Sequence, residues 1–347
     1  MKEADFPMNT TAAATTSRII KKPFEDSVPL LSDPEALRAR AERDGHLFFK
    51  QLLPHEPILA LRAEILAVIE RYGWLAPGKD PLLGLIDVEA INRIPADQVL
   101  GANYGITIEA YNDIQKLESF HRLPHHPILI AALQTLFDGE VFVHPRHITR
   151  TITPHKALVP TPPHQDFPHI QGTSKTWTCW FPLGDCPREM GGLSVLKGSN
   201  HNGYIPVTAA KGAGGLAVRM CPTDVEWMET DYQAGDVLLF NSFTVHKALS
   251  SRLKDRIRLS VDVRYQPLSE PIEEGSLSPH GAVEGRYHDH ESIAEEDSDR
   301  RFGKIFGWEE IYKDWKSDDL KYYWRKRSPQ QLTPWDDAYR QPGRRIC

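Results

Sequence analysis

Apolar residues recur at helical spacing in two segments near the start of the chain. Asp33 and Pro34 precede EALRARAERDG, a pattern that predicts a capped helix with proline in its first turn and Gly45 at its end. Residues 46–49 form a short apolar run that predicts a strand. In ILALRAEILAVIERYG the apolar positions 58, 59, 61, 65, 66, 68 and 69 share one helical face. The chain is therefore expected to open with a helix, a strand and a second helix.

Between about residues 140 and 266 the pattern changes to short strands. The segments VFVHPRHITRTIT, TWTCWFPL, LSVLKGS, DVLLFNSF and RLSVDVRYQ are rich in β-branched and aromatic residues, with Gly, Pro and Asn between them. Many short strands joined by turns are typical of a sandwich or a jelly-roll barrel. The expected fold is thus mainly β with flanking helices.

The same pattern suggests how the chain is organised. We expect a flexible tail over residues 1–30 and a single domain over 31–347, whose barrel core covers about 140–266. Residues 75–135 mix Pro and Gly with short helices near 87–92 and 111–120, as in an insertion that binds substrate or forms a lid. Residues 268–347 include a polar stretch (HDHESIAEEDSDRR) that predicts a solvated loop. The later WEEIYKDWKSDDLKYYWRKR predicts a helical extension with buried Trp and Tyr.

Charge and cysteine content narrow the function. The 347 residues carry a net charge of −6, with a pI near 6.2. A nucleic-acid partner is not expected, because such proteins usually carry a basic face. No apolar run approaches the roughly 18 residues of a membrane span, so no membrane partner is expected either. The four cysteines form no CxxC pair. That pattern favours neither a disulfide framework nor a zinc site, and it predicts a cytoplasmic location.

A metal site is predicted by His164-Gln165-Asp166 together with His246, which follows 80 residues after the aspartate. Two imidazoles and one carboxylate are the ligand set that holds non-haem Fe(II) and leaves positions open for a co-substrate and O2. On an extended strand, His164 and Asp166 point to one side and Gln165 to the other. His246 follows the apolar strand DVLLFNSFTV, from which it can complete the site. Each piece alone also fits an ordinary surface or core histidine.

The strand that follows, RIRLSVDVRY, supplies a cation. An oxygenase that uses 2-oxoglutarate needs a fixed guanidinium for the distal carboxylate of this co-substrate. Arg258 and Ser260 share one face of the strand, so Arg258 is the expected anchor and Ser260 its helper. Arg256 lies on the same face and is the alternative anchor. These arginines, together with Arg264, also fit the polar face of an edge strand.

In this order, the motifs resemble the phytanoyl-CoA dioxygenase family. The resemblance covers roughly residues 35–70 and 140–266. It is carried by the His164-Gln165-Asp166 triplet, WTCWFPL at 177–183, GGLSVLKGSNH at 191–201, AGDV at 234–237 and His246. It implies a double-stranded β-helix, a cupin-like form of the jelly roll. By the same resemblance His164, Asp166 and His246 would bind iron, Arg258 would anchor 2-oxoglutarate, and Trp180 would lie beside this co-substrate.

The activity that the resemblance implies is that of an Fe(II)- and 2-oxoglutarate-dependent dioxygenase. Such an enzyme would use O2 to hydroxylate a C–H bond of a small organic molecule, with release of succinate and CO2. Asp166 disfavours halogenation, because related iron halogenases have a small residue in its place. Desaturation, ring formation or epimerisation of a secondary metabolite stays open, as does a non-catalytic cupin-like protein that binds metal or ligand. A homodimer is also left open, because the aromatic C-terminal segment can pack on the barrel or on a second subunit.

Overall fold

The computed structural model describes residues 19–100, 105–218, 225–280, 307–327 and 331–341. Its strands are β1 (Ile19–Lys22), β2 (His46–Phe49), β3 (Val141–Val143), β4 (Ile148–Ile152), β5 (Trp177–Pro182), β6 (Leu193–Leu196), β7 (Val207–Ala209), β8 (Leu216–Val218), β9 (Val225–Met228), β10 (Val237–Asn241), β11 (His246–Ala248), β12 (Arg258–Pro267), β13 (Ile272–Glu273) and β14 (Leu332–Thr333).

Two β-sheets form the centre of the fold. The larger sheet has the order β2-β10-β5-β12-β3, and β4 pairs with the first half of β12. The smaller sheet has the order β1-β9-β6-β11, in which β1 and β9 run parallel and the other pairs antiparallel. Strands β7 and β8 form a separate hairpin, and β13 pairs with β14.

Side-chain alternation on the larger sheet separates two apolar layers. Phe48 and Leu238 pack with Val195 and Met228 of the smaller sheet, so they lie between the two sheets. Their neighbours in sequence, such as Leu239, join a second core together with the helices. Helices therefore cover one side of a pair of facing sheets. This arrangement confirms the predicted mainly β fold with a jelly-roll, double-stranded β-helix core.

The helices of the described residues are α1 (Pro34–Asp44), α2 (His55–Arg71), α3 (Val88–Asn92), α4 (Ala96–Leu100), α5 (Ile108–Gln115), α6 (Glu118–Arg122), α7 (Pro127–Phe137), α8 (Phe167–Ile170), α9 (Trp308–Tyr312) and α10 (Tyr323–Arg327). The predicted opening is confirmed. The Asp33 carboxylate accepts a hydrogen bond from the Ala36 N–H at the start of α1. Gly45 ends this helix with a φ of +72°, and a Cβ there would lie 2.4 Å from Oδ1 of Asn200.

Three sequence predictions about local structure need correction. The predicted tail is too long, because Ile19–Lys22 pairs with β9; residues 1–18 lie outside the described residues. The segment from 140 to 152 forms two strands, with Pro145 in the break. The aromatic C-terminal segment forms two short helices rather than one. Between them the Glu118 carboxylate accepts hydrogen bonds from the backbone N–H of Lys316 and the hydroxyl of Ser317, which replaces continuous helical bonding.

The C-terminal aromatic residues pack on their own chain. Trp308, Trp315 and Trp324 are buried together with Phe142 and Ile272, which belong to β3 and β13. The indole N–H of Trp315 also donates to the backbone carbonyl of Lys116, 2.8 Å away. The polar stretch HDHESIAEEDSDRR lies outside the described residues. In the described part of the chain, every helix is too short or too polar to cross a membrane.

Candidate metal centre and co-substrate pocket

His164, which lies outside the named strands, and His246, the first residue of β11, are joined by an antiparallel backbone bridge. The N–H of each residue donates to the carbonyl of the other, at 2.9 Å in both directions, and the imidazole centroids lie 4.1 Å apart. Nδ1 of His164 donates to the carbonyl of Pro162 at 2.8 Å, and Nδ1 of His246 donates to that of Thr244 at 3.1 Å. These bonds leave the Nε2 lone pair of each ring free for a metal.

The Asp166 carboxylate completes the group. Its Oδ1 lies 3.7 Å from Nε2 of His164 and 3.7 Å from Nε2 of His246. All three side chains are buried, and their ligand atoms lie within 4.8 Å of one another. Within the described ranges of the chain this is the one His/Cys/Asp/Glu group with such spacing. The donor set is the one that suits non-haem Fe(II).

The local backbone differs from the extended strand that the sequence suggested. Asp166 has helical torsion angles (φ −74°, ψ −26°) and immediately precedes α8. A bridge followed by a turn, rather than strand alternation, therefore brings His164 and Asp166 together. The expectation for Gln165 is confirmed, because its side chain turns away from the centre. Its amide donates to the carbonyls of Gly203 and Phe243, at 2.7 and 2.6 Å.

The charges around the three side chains favour metal binding. Burial opposes ionisation of Asp166, but the Arg264 guanidinium and the hydrogen bond from Thr178 favour the charged form and hold the pKa of the carboxyl below its usual range. Burial, and then the neighbouring His246, lower the pKa of His164 well below 6.5. Burial also lowers the pKa of His246. Near neutral pH the carboxylate is thus ionised and both rings are neutral, which is the state that coordinates a metal.

Strand β12 forms the polar wall of the cavity that contains these three residues. Arg258, Asp262 and Arg264 all line the cavity from one face of the strand. The alternate residues Leu259 and Val261 belong to the core under the helices. Strand β12 lies between β5 on one side and β3 and β4 on the other, so the alternative of an edge strand is wrong.

The structure distinguishes between Arg258 and Arg256, the two candidate anchors that the sequence could not tell apart. Arg258 is 3% exposed and lines the cavity, whereas Arg256 is exposed and lies outside the cavity lining. Nε and Nη1 of Arg258 are buried without a hydrogen-bond partner among the described residues. Leaving such donors unpaired is costly. A free, buried guanidinium in the cavity of the candidate ligands fits the distal carboxylate of 2-oxoglutarate.

Of the two residues expected to accompany Arg258, Trp180 lines the cavity and Ser260 does not. Trp180 lines the cavity, and its ring centroid is 5.9 Å from the guanidinium carbon of Arg258. Its indole Nε1 is buried with no partner in the described part of the chain, and the same holds for the hydroxyl of Ser260. Ser260 follows Arg258 on the same face of β12 but is not part of the cavity lining. Trp180 therefore lies beside Arg258 in the cavity, and Ser260 lies near Arg258 on β12 but outside the cavity lining.

Sequence reasoning missed three polar residues of the cavity: Thr178, Asp262 and Arg264. Thr178 and Arg264 both donate to Oδ2 of Asp166, and Nε of Arg150 donates to Asp262 at 2.8 Å. The spacing of residues along β12 could have predicted two of them. Asp262 and Arg264 follow Arg258 at period two on β12, and they would have been found had the strand been taken as a central one.

The family model of phytanoyl-CoA dioxygenase (PhyH) matches residues 41–256, well over half of the chain. The chain belongs to the phytanoyl-CoA dioxygenase family. The match includes His164, Asp166 and His246 and ends just before Arg258. The chain is thus an Fe(II)- and 2-oxoglutarate-dependent dioxygenase, and the residues described above fit both groups. The predicted iron, 2-oxoglutarate and dioxygenase activity are confirmed.

Two curated relatives are similar over most of their length. The chain is 27% identical over 265 residues to the 1-deoxypentalenic acid 11-beta-hydroxylase of Streptomyces arenae. The match covers 74% of this chain and 89% of the relative. It is 26% identical over 266 residues to the enzyme of the same name from Streptomyces exfoliatus, with the same coverage.

Solved structures with a similar chain include the epimerase SnoN from nogalamycin biosynthesis, in complex with Fe3+, alpha-ketoglutarate and nogalamycin RO. It is 21% identical and has a TM-score of 0.49, and the match covers 70% of this chain and 86% of SnoN. The carbocyclase SnoK is 19% identical with a TM-score of 0.43, and the match covers 67% of this chain and 84% of SnoK.

Proposed function

We propose that this dioxygenase hydroxylates a C–H bond of a small carboxylic acid of secondary metabolism, with His164, Asp166 and His246 as iron ligands. Arg258, assisted by Ser260, would bind the distal carboxylate of 2-oxoglutarate, and Trp180 would lie against it. The observation that carries these roles is the unpaired, buried guanidinium of Arg258 in the same cavity as the His-Asp-His group. When bound, the iron with 2-oxoglutarate and O2 supplies the oxidising power, and succinate and CO2 are released.

The charge of the cavity supports an acidic substrate. Three arginines and two aspartates line it (Arg150, Arg258, Arg264, Asp166 and Asp262), which leaves one positive charge when the imidazoles are neutral. Fe(II) adds two positive charges and 2-oxoglutarate two negative ones, so the surplus remains after both bind. A buried surplus charge favours a ligand of opposite sign. The curated relatives, whose names describe hydroxylases of an acid, support the same substrate class.

The remaining lining residues would orient the substrate and exclude water. Leu193 and Phe240 present apolar surface beside the candidate ligands. The Phe240 ring lies 4.3 Å, centroid to centroid, from that of His246. Of the three arginines, Arg150 has the most exposed side chain, at 18%, and its Nε is held by Asp262. We therefore assign the substrate carboxylate to Arg150.

A non-catalytic cupin-like protein is the second candidate, and the free guanidinium of Arg258 disfavours it. A protein that only binds a metal has no need of a buried, unpaired cation in the same cavity.

We also propose that residues 31–347 form a single domain, in which the parts outside the barrel, 75–135 and 268–347, select the substrate. Cytoplasmic location also stays a proposal, supported by the free thiols of Cys179 and Cys186. A homodimer stays a prediction that light scattering tests.

Succinate release tests the proposed function. The protein is supplied with Fe(II), 2-oxoglutarate and air, and succinate is measured with a panel of small carboxylic acids and their methyl esters. We expect several acids to raise succinate release above the level without substrate, and the matching esters to raise it less. Equal stimulation by acids and esters would contradict the acidic substrate. No succinate with any compound, together with no iron bound in the absence of air, would contradict the catalytic reading.

A further inference from the structure

Thr178 and Arg264 face each other across two paired strands, directly beside Asp166. Thr178 belongs to β5 and Arg264 to β12, and their Cα atoms are register partners. The Thr178 hydroxyl donates to Oδ2 of Asp166, and Nη2 of Arg264 donates to the same oxygen at 3.1 Å. Both side chains are buried, at 1% and 7% exposure. Two donors from the rigid centre of the larger sheet thus converge on one carboxylate oxygen.

The two oxygens of Asp166 therefore have different surroundings. Oδ2 already accepts two hydrogen bonds, one of them from a cation. Oδ1 faces the Nε2 atoms of His164 and His246, each 3.7 Å away. A metal held by the two imidazoles would meet Oδ1 first, and to reach Oδ2 it would have to displace two buried donors. Leaving those donors unpaired costs about 1–3 kcal/mol each.

We propose that Thr178 and Arg264 are positioning residues that make Asp166 bind the metal through Oδ1 alone. This inference rests on the ligand roles proposed above. Two imidazoles and one carboxylate oxygen would hold the metal and leave coordination positions open for 2-oxoglutarate and O2. A carboxylate bound through both oxygens would occupy one of those open positions.

The alternative is that the pair only neutralises a buried carboxylate. If that were their only role, replacing Thr178 or Arg264 would lower the stability of the fold but would leave the metal coordination of Asp166 unchanged. The positioning role predicts a change in coordination in variants that still fold. Thr178→Val is the sharpest change, because valine keeps the shape and the β-branch of threonine but has no hydroxyl. Thr178→Ser keeps the hydroxyl and should rescue the effect.

Strand β4 offers a matched control. Thr149 is also a fully buried threonine in the larger sheet, and its hydroxyl has no hydrogen-bond partner in the described part of the chain. It does not line the cavity. Thr149→Val is thus the same chemical change in the same sheet, away from Asp166. Any effect shared by both valine variants reflects the fold and not the carboxylate.

The experiment uses Co(II), a probe whose absorption spectrum reports its coordination. Metal-free wild type, the three threonine variants, Arg264→Met and Asp166→Ala are titrated with Co(II), and their thermal unfolding is compared. We expect Thr178→Val to bind Co(II) roughly 10-fold more weakly and with an altered spectrum. Arg264→Met should alter the spectrum in the same direction. Thr178→Ser and Thr149→Val should match the wild type.

The outcomes separate this inference from the function on which it rests. If wild type does not bind Co(II), or Asp166→Ala binds it equally well, the proposed ligand roles fail. If those roles hold but Thr178→Val has the wild-type affinity and spectrum, the positioning role fails. It also fails if Thr149→Val changes the spectrum as much as Thr178→Val. If Arg264→Met does not fold, the Thr178 and Thr149 variants still distinguish the positioning role from a purely stabilising one.

Discussion

Arg258 and Trp180 lie side by side in the cavity, with the guanidinium carbon 5.9 Å from the centroid of the indole ring. Nε and Nη1 of the arginine and Nε1 of the tryptophan are all buried, and none has a hydrogen-bond partner among the described residues. Three unpaired donors so close together are costly in a folded chain without a ligand. They form a preorganised site for an anion, and we propose that this anion is 2-oxoglutarate.

Replacing Arg258 with glutamine should raise the KM for 2-oxoglutarate by roughly 10–100-fold, because a hydrogen bond to a charged group is worth about 1.5–3 kcal/mol. The measurement is succinate formation against 2-oxoglutarate concentration. Arg256→Gln is the control and should leave the KM unchanged, because Arg256 is exposed outside the cavity lining. The reverse result, with Arg256→Gln raising the KM and Arg258→Gln not, would move the anchor to Arg256.

Replacing Trp180 with phenylalanine should weaken 2-oxoglutarate binding by roughly 3–10-fold, since it removes one N–H donor worth about 0.5–1.5 kcal/mol. The aromatic ring that packs against Tyr232, 4.7 Å away between centroids, is retained. Binding is measured by calorimetry with the metal-loaded protein in the absence of air. An unchanged affinity would show that the indole N–H does not reach the co-substrate and that Trp180 only fills space.

Acid should destabilise the metal-free protein in the range below pH 6.5. Burial lowers the pKa of His121 and of His144 to about 3, and that of His46 to about 4. Above pH 6.5 both the folded and the unfolded chain leave these rings neutral. Below it the unfolded chain takes up protons that the folded chain excludes, so stability falls as the pH drops towards 4. Each such histidine costs about 1.4 kcal/mol at pH 5.5.

Urea unfolding at pH 7.5 and 5.5 measures this effect. His121→Gln should reduce the loss of stability between the two pH values by about 1.4 kcal/mol, because it removes one of the titrating groups. The control is His55→Gln, since that side chain is exposed. If His121→Gln leaves the pH dependence of the unfolding free energy as in wild type, the ring is not held neutral.

The segment 331–341 should stabilise the turn that follows Asp166. The Gln171 side chain exchanges two hydrogen bonds with the backbone of Asp336, both 2.8 Å long, and the Tyr339 ring lies 5.0 Å from that of Phe167. Gln171→Ala should therefore lower the unfolding free energy by about 1–3 kcal/mol and speed proteolytic cleavage within 331–341. The exposed Gln233→Ala is the control. Equal cleavage rates in the two variants would contradict the anchoring role.

The sequence alone was sufficient to predict features that depend on the spacing of residues within one strand or helix. Arg258 and Arg256 could both be named as candidates because they share one face of the strand that follows His246. The opening helices could be predicted from Asp33, Gly45 and the apolar periodicity. The backbone of Asp166 could not, because its helical torsion angles depend on the bridge between His164 and His246, which join from distant parts of the chain.

Thr178 and Arg264 escaped prediction for a related reason. A threonine in a strand fits β-propensity alone, and an arginine late in a strand fits an exposed face. Their role depends on the register between β5 and β12, which sequence spacing does not give. The break between α9 and α10 was missed in the same way, because it depends on the distant Glu118.

We propose that His164, Asp166 and His246 together hold one Fe(II). The most direct test of this proposal is Fe(II) binding in the absence of air to wild type, Asp166→Ala, His246→Ala and, as a control, the exposed His55→Ala. We predict one Fe(II) per chain for wild type and for His55→Ala, and a loss of binding in both ligand variants. Undiminished binding in Asp166→Ala and His246→Ala, or no binding by wild type, would contradict the account.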